Sequence, residues 1–188
     1  MSTRVERKDI LDFRSLFCVK KIQDVSDLET FSSEYPDYTS FLLENARLMD
    51  DALITQTYLV IEESSKKVVA YFSILPGTVS IDKSLKEHFP KVSFPAYADK
   101  LGTLHIHHLA GDADFCYEYK HIIRFIVDYL RAMIVFKLNE YLQIGFISLD
   151  ADINTDENID KKYEKAGFKQ VGMSMELPLM LLPVYDTE

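Results

Sequence analysis

Two imidazoles set two residues apart are the first feature of this chain that could do chemistry. Leu101 to Leu109 (LGTLHIHHL) alternates, so Thr103, His105, His107 and Leu109 share one face of a strand and Leu104, Ile106 and His108 share the other. A His-x-His pair on one strand face can relay a proton or ligate a metal, because a neutral imidazole offers one donor and one acceptor nitrogen. Further ligand types follow closely: His108, Asp112, Asp114, Cys116 and His121. His105 and His107 point away from His108, however, and nothing fixes the carboxylates on their side, so no metal site is expected. A second run, Asp150-x-Asp152-x-Asn154-x-Asp156-x-Asn158, imitates the start of a calcium loop. Its sixth position is Thr155 where a glycine is needed, and its twelfth is Lys161 where a bidentate Glu is needed. These acids read instead as a solvated loop and as negative charge at the start of the following helix.

The elements that must position these groups follow from pattern. Arg14 to Ile22 reads as a first strand, after which Asp24 or Ser26 caps a short helix from Asp27. Phe41 to Leu53 reads as a helix with Phe41, Leu42, Leu48, Met49, Ala52 and Leu53 on one face. Thr57–Glu62 and Val68–Ile74 form a hairpin through Glu63-Ser64-Ser65-Lys66, and Pro76-Gly77 stops its second strand. The stretch from Pro76 to Lys100 holds one short helix, Ser84–His88, and so long a connection in a compact domain is usually functional. After the histidine strand, Gly111 to Asp114 turns into a helix from Phe115 to Tyr141, with Ile122, Phe125, Ile126, Tyr129, Leu130, Met133 and Phe136 as a wide apolar face. Phe146–Ala151 is the next strand, Glu157–Ala166 a helix closed by Gly167, and Lys169–Val171 and Met175–Leu182 end the chain as strands. Alternation after residue 100 requires parallel pairing, whereas the early hairpin is antiparallel. The class is therefore α+β (mixed α/β), a mixed sheet with helices on both faces. Its ligand cleft is expected where two parallel strands part, between Leu104–His107 and Phe146–Leu149.

The chain has 188 residues, 47 % hydrophobic and 27 % charged, which excludes a disordered or low-complexity protein and fits a single domain over 1–188. With 21 Lys+Arg against 30 Asp+Glu, the net charge of −9 argues against nucleic-acid binding. The basic N-terminal stretch, with Arg4, Arg7, Lys8, Arg14, Lys20 and Lys21, reads as a solvated terminus. Cys18 and Cys116 make no disulfide framework, and neither a signal segment nor a membrane span is recognisable, so a cytoplasmic setting is expected.

Four segments together, VVAYFSI (68–74), LGTLHIHHLAGD (101–112), ISLDADIN (147–154) and KKYEKAGF (161–168), resemble the GNAT superfamily of acyl-CoA-dependent N-acyltransferases. The order of elements and the long insert before the fourth strand resemble its branch rich in toxin-type acetyltransferases. The sharpest piece is Tyr163-Glu164-Lys165-Ala166-Gly167-Phe168. The resemblance implies a mostly antiparallel sheet of six to seven strands with a central splayed parallel pair. It also implies acetyl-CoA as co-substrate. The thioester would be held near Leu104, His105 and Ile106, and the pyrophosphate at Gly111, Asp112, Ala113, Asp114, Phe115 and Cys116, with further contacts from Asn154 and Tyr163. In the family the pyrophosphate motif is Q/R-x-x-G-x-G/A, which works because consecutive backbone N–H groups at a helix start face the anion. Here Gly111 leads it, Asp112, Asp114 and Cys116 stand in the glycine places, and Glu118 follows. Like charges about 4 Å apart cost about 4 kcal/mol near a protein surface, and Asp114 can cap the helix in the anion's stead.

The expected activity is direct transfer of an acetyl group to an amine, weakened by this acidic turn. Tyr163 is the expected acid for the departing thiolate, since a phenol near pKa 10 is still protonated at neutrality. His105 and His107 are the expected relay from the attacking amine. The plainer readings are that Tyr163 packs its helix and that each histidine packs the strand. The alternative function is a GNAT-fold binding or regulatory protein that no longer takes CoA. The acceptor would be a small-molecule or protein amine, with no membrane partner. The apolar helix after the turn and the tail Met173–Tyr185 suit either a homodimer contact or a thick core.

Overall fold

The computed structural model describes residues 15–25, 28, 30–94, 96–116 and 122–184. The expected strand start at Arg14, the cap at Ser26 with its helix from Asp27, Glu118, His121, Tyr185, the N-terminal basic residues Arg4, Arg7 and Lys8, and the side chain of Cys116 lie outside the described residues.

Seven strands make one sheet in the order β1-β2-β3-β4-β5-β7-β6: β1 Phe17–Lys21, β2 Gln56–Glu62, β3 Val68–Ser80, β4 Lys100–Gly111, β5 Phe146–Asp150, β6 Lys169–Ser174 and β7 Leu177–Pro183. β1 runs antiparallel to β2, from Phe17↔Glu62 to Lys21↔Tyr58. β4 and β5 form the parallel pair, from Thr103↔Phe146 to Ile106↔Leu149. β7 lies antiparallel to β5 on one side and to β6 on the other, with a bulge between Gln170 and Gly172. The class is the expected one, α+β with a mostly antiparallel sheet and one parallel pair.

β3 does not stop at Pro76-Gly77 but continues to Ser80. The hairpin brings Thr57 Oγ1 within 2.7 Å of Ser73 Oγ, so Pro76 lies beyond the start of β2 at Gln56. A proline there forfeits no ladder bond to β2, which is why the strand tolerates it.

The chain groups into two compact units, one from the described parts of 1–73 and 108–126 and the other from 74–107 and 127–188. The first is built around Ile22, Phe31, Leu42, Ala46, Leu59 and Tyr71. The Tyr71 hydroxyl donates to the Tyr38 carbonyl at 2.8 Å, and burial pushes its phenol far above the usual range. In the second, α2 (Lys83–His88) and the segment after it pack Leu85 and Phe89 on Phe146 and Leu181, with the Phe89 and Phe146 rings 4.9 Å apart. Asp82 caps α2 by accepting from the Leu85 N–H at 2.8 Å, and Ser84 Oγ donates to the Val171 carbonyl at 3.0 Å. Each fully buried Leu or Phe stabilises by about 1.5–3 kcal/mol, so the insert is held down as a cover over the face of β5 that carries Phe146.

Two helices depart from the expected apolar faces for one reason. α1 runs Pro36–Ser40, then a wide π turn Phe41–Asn45, then Ala46–Asp51. The wide turn adds a residue and rotates all later positions by about 100°. Phe41, Leu42 and Ala46 are consequently buried, while Leu48 is 65 % exposed and Leu53, past the helix end, 93 % exposed. A short helix α3, Ala113–Cys116, precedes α4, which runs Ile122–Tyr129, a π turn Leu130–Val135 and Phe136–Leu138. Phe136, expected on its apolar face, is 69 % exposed.

α5, Ile159–Lys165, ends in a closed cap: the Phe168 N–H donates to the Tyr163 carbonyl at 3.1 Å and the Gly167 N–H to the Glu164 carbonyl at 2.9 Å. The Tyr163 and Phe168 rings meet at 5.9 Å, the apolar contact that accompanies such a cap. Gly167 has φ +100°, and a Cβ there would lie 3.3 Å from a Leu182 methyl. Gly167→Ala is therefore expected to cost about 1–2 kcal/mol, read as a melting point lower by several degrees.

Candidate active site

The site is built on the parallel pair. Paired residues of parallel strands share a face, so Thr103 and His105 stand beside Phe146 and Ser148, and His107 faces the position of Asp150. Ser148 Oγ donates to Thr103 Oγ1 at 2.9 Å, and His105 Nδ1 lies 3.1 Å from Ser148 Oγ. A serine hydroxyl has one proton. Having given it to Thr103, Ser148 accepts from His105 Nδ1–H, which fixes the imidazole tautomer and leaves Nε2 with its lone pair. Burial pushes the His105 ring below its ordinary value of 6.5, against the pull of the Asp150 carboxylate and helped by His107, so it is neutral at pH 7. The first two influences act on His107 as well, although its side chain is exposed. β3 passes close by: a Cβ on Gly77 would stand 2.7 Å from Thr103 Oγ1 and 3.2 Å from His105 Cβ, so only glycine leaves the hydroxyl chain its room.

Leu104 and Ile106 point to the opposite face and are buried. The expected opening is not found between Leu104–His107 and Phe146–Leu149, because backbone pairing holds these stretches together. The strands are paired from Thr103 to Ile106, and β4 then runs on to Gly111 while β5 stops at Asp150. The parallel pairing ends just before His107 and Asp150.

At the far end of β4 the acidic turn is committed to the chain itself. Asp112 is 5 % exposed; its Oδ2 accepts from the Ser32 N–H at 2.9 Å and its Oδ1 from the Asp114 N–H at 3.1 Å. The Ala113 N–H donates to the Ser32 carbonyl at 2.7 Å and the Phe115 N–H to the Asp112 carbonyl at 3.2 Å. The helix-start amides of residues 113, 114 and 115 therefore all have internal acceptors. Asp112, and not the expected Asp114, is the cap; Asp114 is exposed.

Tyr163 is 7 % exposed on α5, and Asn154 is exposed in the loop before that helix. The acids of this loop serve turns: Asp152 takes the Thr155 hydroxyl at 2.5 Å, and Asp156 takes Lys162 Nζ at 2.6 Å, which holds its carboxyl below the usual range. No group of three or more His, Cys, Asp or Glu among the described residues could hold a metal ion, and no helix among them is long and apolar enough to cross a membrane. Thr103 was legible as a neighbour of His105 on the strand, but Ser148, Asp150 and Gly77 were not assigned to the site. The signal for Ser148 and Asp150 is the alternation of FISLD, whose register against β4 no local pattern states, and Gly77 follows Pro76 in what reads as a turn.

No protein-family model matches the chain, and no curated protein matches it in sequence. Its fold is shared with solved structures. A bacterial toxin matches with TM-score 0.69 and 14 % identity over 90 % of this chain and 91 % of its own. A KacT variant matches with TM-score 0.69 and 13 % identity over 90 % and 95 %. AtaT complexed with acetyl-methionyl-tRNAfMet matches with TM-score 0.68 and 13 % identity over 89 % and 94 %. The architecture is thus the GNAT-like one, in the form these toxins take.

Two outcomes follow from this geometry. Asp112→Ala strands two amides and is expected to cost about 2 kcal/mol in denaturant unfolding. For His105, the unfolded chain binds a proton below about pH 6.5 where the folded chain does not. Its contribution to stability is complete above that value and lost as pH falls toward the lowered one. Unfolding midpoints measured down from neutral pH should drop, and His105→Gln should flatten part of the slope.

Proposed function

We propose that the protein transfers an acetyl group from acetyl-CoA to an amine. The observation that supports this most is the His105–Ser148–Thr103 chain, which leaves a neutral imidazole with Nε2 as a proton acceptor near the end of the parallel pairing. In the proposed reaction the amine nitrogen bonds to the thioester carbon and its proton passes to His105 Nε2, with His107 next along the same face. The carbon–sulfur bond then breaks, and the CoA thiolate takes the phenolic proton of Tyr163. Proton return from imidazolium to phenolate through solvent restores both groups. The fold likeness to AtaTR bound with acetyl-CoA (TM-score 0.66, 13 % identity over 90 % of this chain) supports the donor.

A second reading rests on the acidic turn. With the amides of 113, 114 and 115 already engaged, a pyrophosphate finds no free donors among them, and the exposed Asp114 repels it. A GNAT-fold binding module without CoA fits that feature. The acceptor class is an amine on a small molecule or protein. AtaT complexed with acetyl-methionyl-tRNAfMet adds aminoacyl-tRNA to the amines worth assaying, against the net charge of −9.

Acetyl-CoA at a hundredfold excess over its Kd is expected to stabilise the protein by about 2.7 kcal/mol in a thermal-shift experiment. His105→Ala should then lower kcat/KM for amine acetylation by about 10²-fold or more. Absence of any shift with millimolar CoA decides for the binding module.

A further inference from the structure

Asp150 is a titratable group on the face of the histidine pair that the proposed reaction does not use. Asp150 closes β5 on the face that carries Phe146 and Ser148, at the register step after Ile106↔Leu149. Its Oδ2 accepts from Ser174 Oγ at 3.3 Å, while its Oδ1 is buried and has no hydrogen-bond partner among the described residues. A buried carboxylate oxygen without a donor is destabilising, because it has given up its water and gained no partner. An apolar residue at this position would avoid that cost, and β7 already sets Leu179 beside it. The titratable groups facing Asp150 are His105 and His107 of β4, and its carboxylate favours the charged form of both rings. From β6 the Ser174 hydroxyl meets it.

The holding of Ser174 is itself costly. It is the last residue of β6, and the turn to β7 is made by Met175 and Glu176 at φ 46° and 71°. Left-handed backbone at two non-glycine residues is unfavourable because each Cβ crowds the neighbouring carbonyl. A tight two-residue hairpin of this kind keeps Ser174 at the carboxylate.

We propose that Asp150 is a positioning residue of the acyl-transfer site: its carboxylate holds the imidazolium that forms when the histidine pair accepts the proton of the attacking amine. In the resting state, with both rings neutral, one carboxylate oxygen lacks a donor. As the nitrogen–carbon bond forms and the amine proton moves to His105 Nε2, the ring becomes a cation on the strand face that carries this carboxylate, two register steps away. The interaction strengthens along the reaction coordinate, which is the condition for lowering the barrier and not merely improving binding. Asp150 touches neither substrate and acts through the histidines. This inference rests on the acetyltransferase reading, with His105 as the proton acceptor.

The test uses the full chain and two readouts. The first is an NMR titration of the His105 and His107 ring protons, assigned with single His→Gln variants. Asp150→Asn is expected to move both titrations to lower pH, and Ser174→Ala, which removes the donor competing for the carboxylate, to move them to higher pH. The second is the pH profile of kcat/KM for acetylation of a primary amine. Asp150→Asn should lower kcat/KM near neutrality by about tenfold, shift the acid limb with the titrations, and leave the Kd of acetyl-CoA as it was; Asp150→Glu should recover part of the loss. Histidine titrations unchanged in both Asp150→Asn and Ser174→Ala overturn the proposal, and they do so even if no amine is ever acetylated. Titrations that move as expected in a protein that binds no CoA support the electrostatic pairing while the acetyltransferase reading fails.

Discussion

A serine hydroxyl has a single proton to donate, and where Ser148 sends it decides the chemistry available on β4. Because it goes to Thr103 at 2.9 Å, the imidazole of His105 must donate from Nδ1, and Nε2 is left basic. Everything around this chain serves its geometry. The parallel register aligns Ser148 with His105, Gly77 leaves the space in which Thr103 receives the proton, and the insert packs Phe89 on Phe146 next to it. Burial then keeps the ring neutral, so a group that would otherwise be partly charged near pH 6.5 is ready to accept a proton.

The other end of β4 shows the opposite logic. A helix start has unmet N–H groups that attract an anion, and in this chain the anion is covalently attached. Asp112 is buried and bonded to two amides, and through Ser32 it ties an earlier loop to the end of the strand. Being tethered, it competes with any external phosphate at high effective concentration, and it cannot leave without stranding its partners. The same residue that stabilises the fold thus bears on whether a CoA pyrophosphate has amides to meet. The imidazole chain on β4 and the occupied helix start are separate features of this chain, which is why two functional readings stand on different residues.

Much of this was readable from residue types. Alternation in LGTLHIHHL placed Thr103, His105 and His107 on one face, and YEKAGF announced a helix closed by a left-handed glycine; both are local patterns enforced by backbone geometry over a few residues. The helix faces differ at Leu48 and Phe136 because a π turn changes the angular count without leaving a mark in the hydrophobic spacing, and at Leu53 because the helix has already ended at Asp51. Met175-Glu176 concealed a hairpin because neither residue favours the conformation it adopts. Pro76-Gly77 suggested a strand end, but whether a proline costs a ladder bond depends on whether a neighbouring strand reaches that far.

By itself the sequence determined the class of the fold, the order of its elements and the strand face on which the histidines lie, since periodicity and turn chemistry act between near neighbours. Only the tertiary structure decided that Ser148 and Asp150 join those histidines and that Asp112 turns inward to occupy the helix start. Those outcomes hang on the register between β4 and β5, segments 43 positions apart in the case of His105 and Ser148, and on a loop 80 positions from Asp112. Register is set by the packing of whole strands. A shift of one residue would exchange every side chain between faces, and no short-range preference encodes that choice.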